Sequence, residues 1–175
     1  NHNFNYDNKL ISTLINKNIN NIKIIFMDFD GTLSNGNVYI NNNGEELKTS
    51  NTKDGYIIKK LNHKYIFGII SGSDLSFFKK RAKYLGIKYI FDKVSLNKPK
   101  LDIINNLLVD LDLKINNLAF IGDDLNDISV IRNCFSGCPS DAQNEIKNES
   151  DYICKKKGGK GCVREFIEYI NNNNL

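Results

Sequence analysis

Apolar runs separated by polar turns predict most of the elements of this chain. Residues 24–27, IIFM, inside IKIIFMDFDG at 22–31, form a short apolar run without alternation. That is the pattern of a strand covered on both faces of a parallel sheet. Residues 65–70, 89–91 and 118–121 repeat it, with shorter strands at 134–137 and 152–154. Between them, helical patterns run over 54–61, 73–85, 100–111, 127–133, about 142–147 and 163–170. Strands alternating with helices predict an α/β fold, a three-layer Rossmann-like parallel sheet. The arms VYI and ELK around Asn42-Asn43-Gly44 predict a β-hairpin within 37–50, placed to lean over the first strand's end as a flap. Residues 1–21 carry Leu10, Ile11, Leu14 and Ile15 on one helical face and read as a lead-in. Residues 22–170 read as one domain, and 171–175 as a disordered asparagine-rich tail.

Polar residues close three of these strands. Asp28 and Asp30 follow the first, Ser71 the strand at 65–70, and Asp123 and Asp124 the strand at 118–121. A parallel sheet brings such ends to one edge, where open α/β folds bind their ligands. Alternate residues of an extended chain point the same way, so Asp28 and Asp30 share a side, and Gly31 lets the backbone turn away beneath them. With Asp127 a turn further on, these carboxylates make a negative pocket that a divalent cation resolves. The ligands are oxygens, which favours Mg²⁺. Such a site suits phosphoryl transfer: one carboxylate attacks, a hydroxyl and backbone amides hold the phosphate, and a lysine offsets the charge. Asn97-Lys98-Pro99-Lys100 offers two lysines ahead of the third acidic strand.

Composition narrows the field. The chain has 175 residues, 41% hydrophobic and 25% charged, which suits a globular domain with a real core. Its net charge of +4 comes from scattered lysines, so no nucleic-acid face is expected, while an anionic substrate suits it. No apolar run approaches a membrane span and the first residues lack a signal-peptide pattern, so a cytoplasmic location is expected. The first residue is Asn, so a longer parent chain is expected. Cys134, Cys138, Cys154 and Cys162 contain no C-x-x-C pair and read as reduced, partly buried thiols. Lys155, Lys156, Lys157 and Lys160 surround a glycine-rich stretch, 158–161, that does not fit a phosphate-loop motif and reads as a mobile exposed loop.

DFDGT at 28–32, the strand ending in Ser71, the lysine at 98–100 and GDDLND at 122–127 resemble the four motifs of the haloacid dehalogenase superfamily of aspartate-nucleophile phosphatases. The resemblance implies that Asp28 is the nucleophile and forms an aspartyl phosphate. It makes Asp30 the acid/base, Ser71 a phosphate ligand, and a lysine the screening charge. Metal ligation would come from Asp28, the backbone carbonyl of Asp30, and Asp123, with Asp124 and Asp127 supporting the metal. Thr32 and Gly72, beside these motifs, are expected at the substrate. The family's spacing favours Lys100 over Lys98.

Between the motifs there is no room for a cap domain. The flap NGNVYINNNGEELKTSNTKDGYII and the C-terminal GGKGCVREF resemble one capless branch, the 3-deoxy-D-manno-octulosonate 8-phosphate phosphatases. That resemblance implies a phosphorylated sugar acid as substrate and a homotetramer, with Lys53, Asp54 and Arg164 contacting the sugar acid. Two departures accompany it: Lys53 stands where the branch usually has Arg, and Ser73 where a charged residue often follows the glycine. SGCPSDA and YICKKKGGKGCVREF are also similar to phosphatases of nine-carbon keto acids and to the phosphatase-like domain of CMP-sialic acid synthetases. A nine-carbon substrate and a non-catalytic oligomerisation domain are therefore the alternatives.

Overall fold

The structure is a computed structural model that describes residues 17–174. Strand β1 (Ile24–Met27) is followed by a hairpin, β2 (Tyr39–Ile40) and β3 (Glu46–Leu47), and by helix α1 (Thr52–Leu61). Strand β4 (Ile66–Ile70), helix α2 (Lys79–Leu85), strand β5 (Tyr89–Phe91) and helix α3 (Lys100–Asp110) come next. Strand β6 (Leu118–Ile121), the short helix α4 (Ile128–Ile131), strand β7 (Phe135–Cys138) and helix α5 (Asn144–Glu149) lead to strand β8 (Tyr152–Ile153) and helix α6 (Cys162–Asn173). The lead-in pattern of Leu10, Ile11, Leu14 and Ile15 lies outside the described residues.

Six strands form one parallel sheet in the order β5-β4-β1-β6-β7-β8. The chain builds outward from β1 to β4 and β5, then returns to β1's other side with β6. The crevice between β1 and β6 is therefore the switch point at which such sheets bind ligands. All four β1 residues are fully buried because both faces are covered. Ile25 and Met27 pack with Ile58, Ala82 and Phe166 from α1, α2 and α6, whereas Ile24 and Phe26 pack with Ile104, Val130 and Ile146 from α3, α4 and α5. Each such burial contributes about 1.5–3 kcal/mol, which anchors the strand that carries the acids.

Several boundaries shift from expectation by a few residues, and two of the shifts have a visible cause. The helix predicted over 73–85 begins late, with a 3-10 turn at Ser76–Phe78 before α2. Its predicted first turn is taken by side-chain bonds to the backbone, Ser73 N–H to Ser71 Oγ at 3.1 Å and Ser76 N–H to Asp74 Oδ1 at 2.8 Å. Such bonds compete with helix formation. At the other end, residues 171–173 extend α6, and Asn174 is tied down rather than disordered. Its Nδ2 donates to the Ile22 carbonyl at 3.0 Å and to the Tyr65 hydroxyl at 3.2 Å.

Candidate active site

The switch-point crevice holds a cleft of about 300 Å³ lined by Asp28, Asp30, Ser71, Gly72, Asp123 and Asp124, among others. Asp28 leaves the end of β1, where its N–H bonds to the Ile121 carbonyl of β6 at 2.9 Å. Gly31 then adopts φ +79°, a left-handed conformation that glycine accepts without strain, and a Cβ there would overlap the Asp123 carboxylate. The turn predicted beneath the acids thus also makes room for the third acid. Thr32, fully buried, donates its hydroxyl to Asp123 Oδ1 at 3.1 Å. It orients an acid instead of facing the cleft.

Lys100 is the first residue of α3 and is buried, whereas Lys98 is exposed. The Lys100 ammonium donates to Asp28 Oδ1 at 2.6 Å and to Asp127 Oδ1 at 2.7 Å. The other Asp127 oxygen accepts from the N–H groups of Asp123 and Asp124, at 3.0 and 3.3 Å. Asp127 therefore secures both the lysine and the loop that carries Asp123. Asp124 is exposed, and its carboxylate caps the short turn that follows through Leu125 N–H at 2.7 Å.

Carboxylate oxygens of Asp28, Asp123 and Asp127 lie within 4.8 Å of one another. Burial, then the Asp127 charge, hold the Asp28 carboxyl well above its ordinary value, against the pull of Lys100. Burial and Asp127 likewise push Asp123 up to about 7. Burial alone would lower Lys100, but Asp127 and Asp28 outweigh it and keep the ammonium charged. Three carboxylates against one ammonium leave a formal charge of −2, which one divalent cation cancels. The donors are all oxygens, so the residues fit a hard ion such as Mg²⁺.

Asp30 stands apart from this cluster. Its carboxylate accepts from Lys48 Nζ at 2.7 Å and from the Ser73 hydroxyl. Sequence reasoning missed Lys48. Its only signal was a lone lysine at the end of a predicted hairpin. The structure does not bring Lys53, Asp54 or Arg164 to the cleft within one chain. Asp54 is 1% exposed, because its Oδ1 accepts Arg164 N–H at 2.7 Å at the start of α6, so it caps a helix and is closed to substrate. The Arg164 side chain bonds Glu168 at 2.7 Å and lies over the Tyr56 ring, while Lys53 is exposed on α1.

The glycine-rich loop is a packed support, not a mobile one. Gly159 N–H donates to the Thr32 carbonyl at 2.9 Å, and Gly158 N–H to Asp141 Oδ1 at 2.9 Å. A Cβ on Gly158 would overlap the Gly31 carbonyl, so the loop can brace the turn after Asp28 only with glycine there. All four thiols are free and buried, and Cys162 Sγ lies 3.4 Å from the same Thr32 carbonyl.

Residues 53–134 match the haloacid dehalogenase-like hydrolase family. The chain is 35% identical over 162 residues to the 3-deoxy-D-manno-octulosonate 8-phosphate phosphatase of Salmonella typhi, covering 91% of this chain and 85% of that one. It belongs to this branch of the haloacid dehalogenase-like phosphatases. Solved structures agree. The Moraxella catarrhalis 3-deoxy-D-manno-octulosonate 8-phosphate phosphatase, in complex with magnesium ion, phosphate ion and KDO, superposes with a TM-score of 0.84 at 34% identity. That match covers 89% of each chain. The cobalt-bound deoxy-D-mannose-octulosonate 8-phosphate phosphatase of Haemophilus influenzae gives 0.81 at 31% identity, over 89% of this chain and 91% of that one.

Proposed function

We propose that this protein is a Mg²⁺-dependent phosphomonoesterase that hydrolyses 3-deoxy-D-manno-octulosonate 8-phosphate. The observation that carries the reading is the buried Asp28–Lys100–Asp127 arrangement beside Asp123, on a chain that matches phosphatases of this substrate over nine-tenths of its length. Asp28 attacks phosphorus, and the sugar oxygen leaves with a proton from Asp30. Water then attacks the aspartyl phosphate, its proton passing to Asp30, and phosphate departs with Asp28 restored. Ser71 and the backbone at Gly72 hold phosphate oxygens, and Lys100 screens their charge. Asp28, Asp123 and the Asp30 carbonyl would hold Mg²⁺, which supplies charge neutralisation at the phosphate. Asp127 and Asp124 keep the loop and lysine in register.

The hairpin supports a homotetramer. Val38, Tyr39, Ile40 and Leu47 are 45 to 69% exposed on a two-stranded ribbon too small to be stable alone, and hairpins of other subunits can cover them. In that assembly Lys53, just beyond the hairpin, and Arg164 are available to a neighbour's sugar acid. The assembled enzyme acts in the cytoplasm. Among the described residues, no helix is long and apolar enough to cross a membrane. Asp141 of the SGCPSDA segment accepts the Gly158 N–H of the GGKG segment, so the two segments that resemble nine-carbon phosphatases pack together beside the Gly31 turn, and a nine-carbon acid is the alternative substrate.

The test is Mg²⁺-dependent phosphate release from 3-deoxy-octulosonate 8-phosphate, from nine-carbon keto-acid 9-phosphates and from common sugar phosphates, with Asp28→Asn as blank. A preference for the eight-carbon acid is expected. Preference for a nine-carbon acid would change the substrate, and no turnover above the blank would leave an oligomerisation domain.

A further inference from the structure

Lys48 has a long flexible side chain on an exposed ribbon, yet that side chain is only 6% exposed. Its neighbours Leu47, Thr49 and Ser50 are exposed. Folding such a chain inward costs up to about 2 kcal/mol of rotamer entropy, so its contacts must return that. Those contacts are Asp30 Oδ1 at 2.7 Å and Ser73 Oγ at 2.9 Å, and the Ser73 hydroxyl completes the triangle by donating to Asp30 Oδ2. Both oxygens of Asp30 are thereby held, by donors of different kinds. An ammonium only donates, so Oδ1 can serve Lys48 only as an acceptor. A hydroxyl donates or accepts by rotating, so Ser73 can follow Oδ2 through gain and loss of a proton.

Resting on the acid/base reading of Asp30, we propose that Lys48 is a positioning residue of the reaction. It anchors Oδ1 so that Oδ2 is the oxygen that trades its proton with the leaving sugar oxygen, and it ties the flap hairpin to that step. The buried Lys100 holds the nucleophile from the core, while Lys48 holds the proton carrier from the surface.

The experiment compares kcat/KM, which reports the steps through departure of the leaving group, on two phosphates. One is 3-deoxy-octulosonate 8-phosphate, whose alkoxide needs a proton. The other is p-nitrophenyl phosphate, whose phenolate leaves without one. Wild type, Lys48→Met, Lys48→Arg, Asp30→Asn and the Lys48→Met/Asp30→Asn double variant are assayed. For Lys48→Met the loss is expected to be about tenfold or more larger on the sugar phosphate than on the aryl ester, with partial recovery in Lys48→Arg. The double variant should be no worse than Asp30→Asn alone. Equal losses on both esters, or losses that multiply in the double variant, would overturn the positioning role, the latter by exposing a direct sugar contact. If Asp30→Asn itself treats the two esters alike, or wild type cleaves neither, the underlying reading of Asp30 falls and the proposal falls with it.

Discussion

Two aspartates separated by a single residue each hold a lysine, and the two lysines come from opposite kinds of structure. Asp28 pairs at 2.6 Å with Lys100, on a core helix, where both side chains are under 10% exposed. Asp30 pairs at 2.7 Å with Lys48, beside an exposed hairpin, and its own side chain is 32% exposed. The distances match, but the energetics do not. The Lys100 ammonium, shared by two buried carboxylates, cannot be removed without stranding charge, whereas Lys48, itself 6% exposed, pairs with a single carboxylate that is 32% exposed and can turn to water. The surroundings of Asp28 are thus permanent, and those of Asp30 can be rearranged by a ligand.

The largest way to break this contrast is Asp28→Asn, expected to lower phosphate release by about 10⁴-fold or more while leaving circular dichroism and thermal midpoint near wild type. Lys100→Met follows. It should lower kcat by about 10²–10³-fold and destabilise the fold by about 3–5 kcal/mol in urea titrations, since Asp28 and Asp127 lose their shared counter-charge. Lys48→Met should change that stability by less than about 1 kcal/mol, and equal stability losses in the two lysine variants would erase the distinction. Next is the metal. Mg²⁺ at a hundred times its dissociation constant should stabilise the protein by about 2.7 kcal/mol, an effect that Asp123→Asn removes and a chelator reverses.

The smallest effect concerns Asp54, a buried acid to which no lysine is bonded among the described residues. Its Oδ2 has no hydrogen-bonding partner among the described residues, and burial raises its pKa from 3.8 to about 6 despite the bond from Arg164. The folded state thus holds this proton more tightly than the unfolded chain. Its contribution is complete below pH 4 and is lost as pH rises through about 6. Asp54→Asn should flatten that part of the stability curve measured between pH 4 and 7.5. A slope unchanged by the substitution would show that Oδ2 is satisfied by solvent.

The residues of the cleft were legible because strand ends in a parallel sheet converge whatever lies between them. Apolar runs at 24–27, 65–70 and 118–121 located the strands, and the acids and Ser71 followed directly. Lys53, Asp54 and Arg164 were harder. They match a motif, but a motif does not say whether a carboxylate faces solvent or a helix start, and Asp54 faces the start of α6. The 158–161 loop misled for a related reason. Glycine and lysine suggest mobility locally, yet these glycines are what permit backbone to touch backbone at Gly31 and Thr32.

The sequence by itself determined the sheet, the convergence of Asp28, Asp30, Ser71 and Asp123, and the need for a cation among them, because hydrophobic period and like-charge repulsion act through local order and simple charge count. Only the tertiary structure decided that Lys100 rather than Lys98 reaches Asp28, that Asp127 shares it, that Thr32 serves Asp123, and that Lys48 comes in from the flap to hold Asp30. Those pairings depend on directions of side chains 18 to 91 residues apart. They are set by packing across elements, which no spacing within one element encodes.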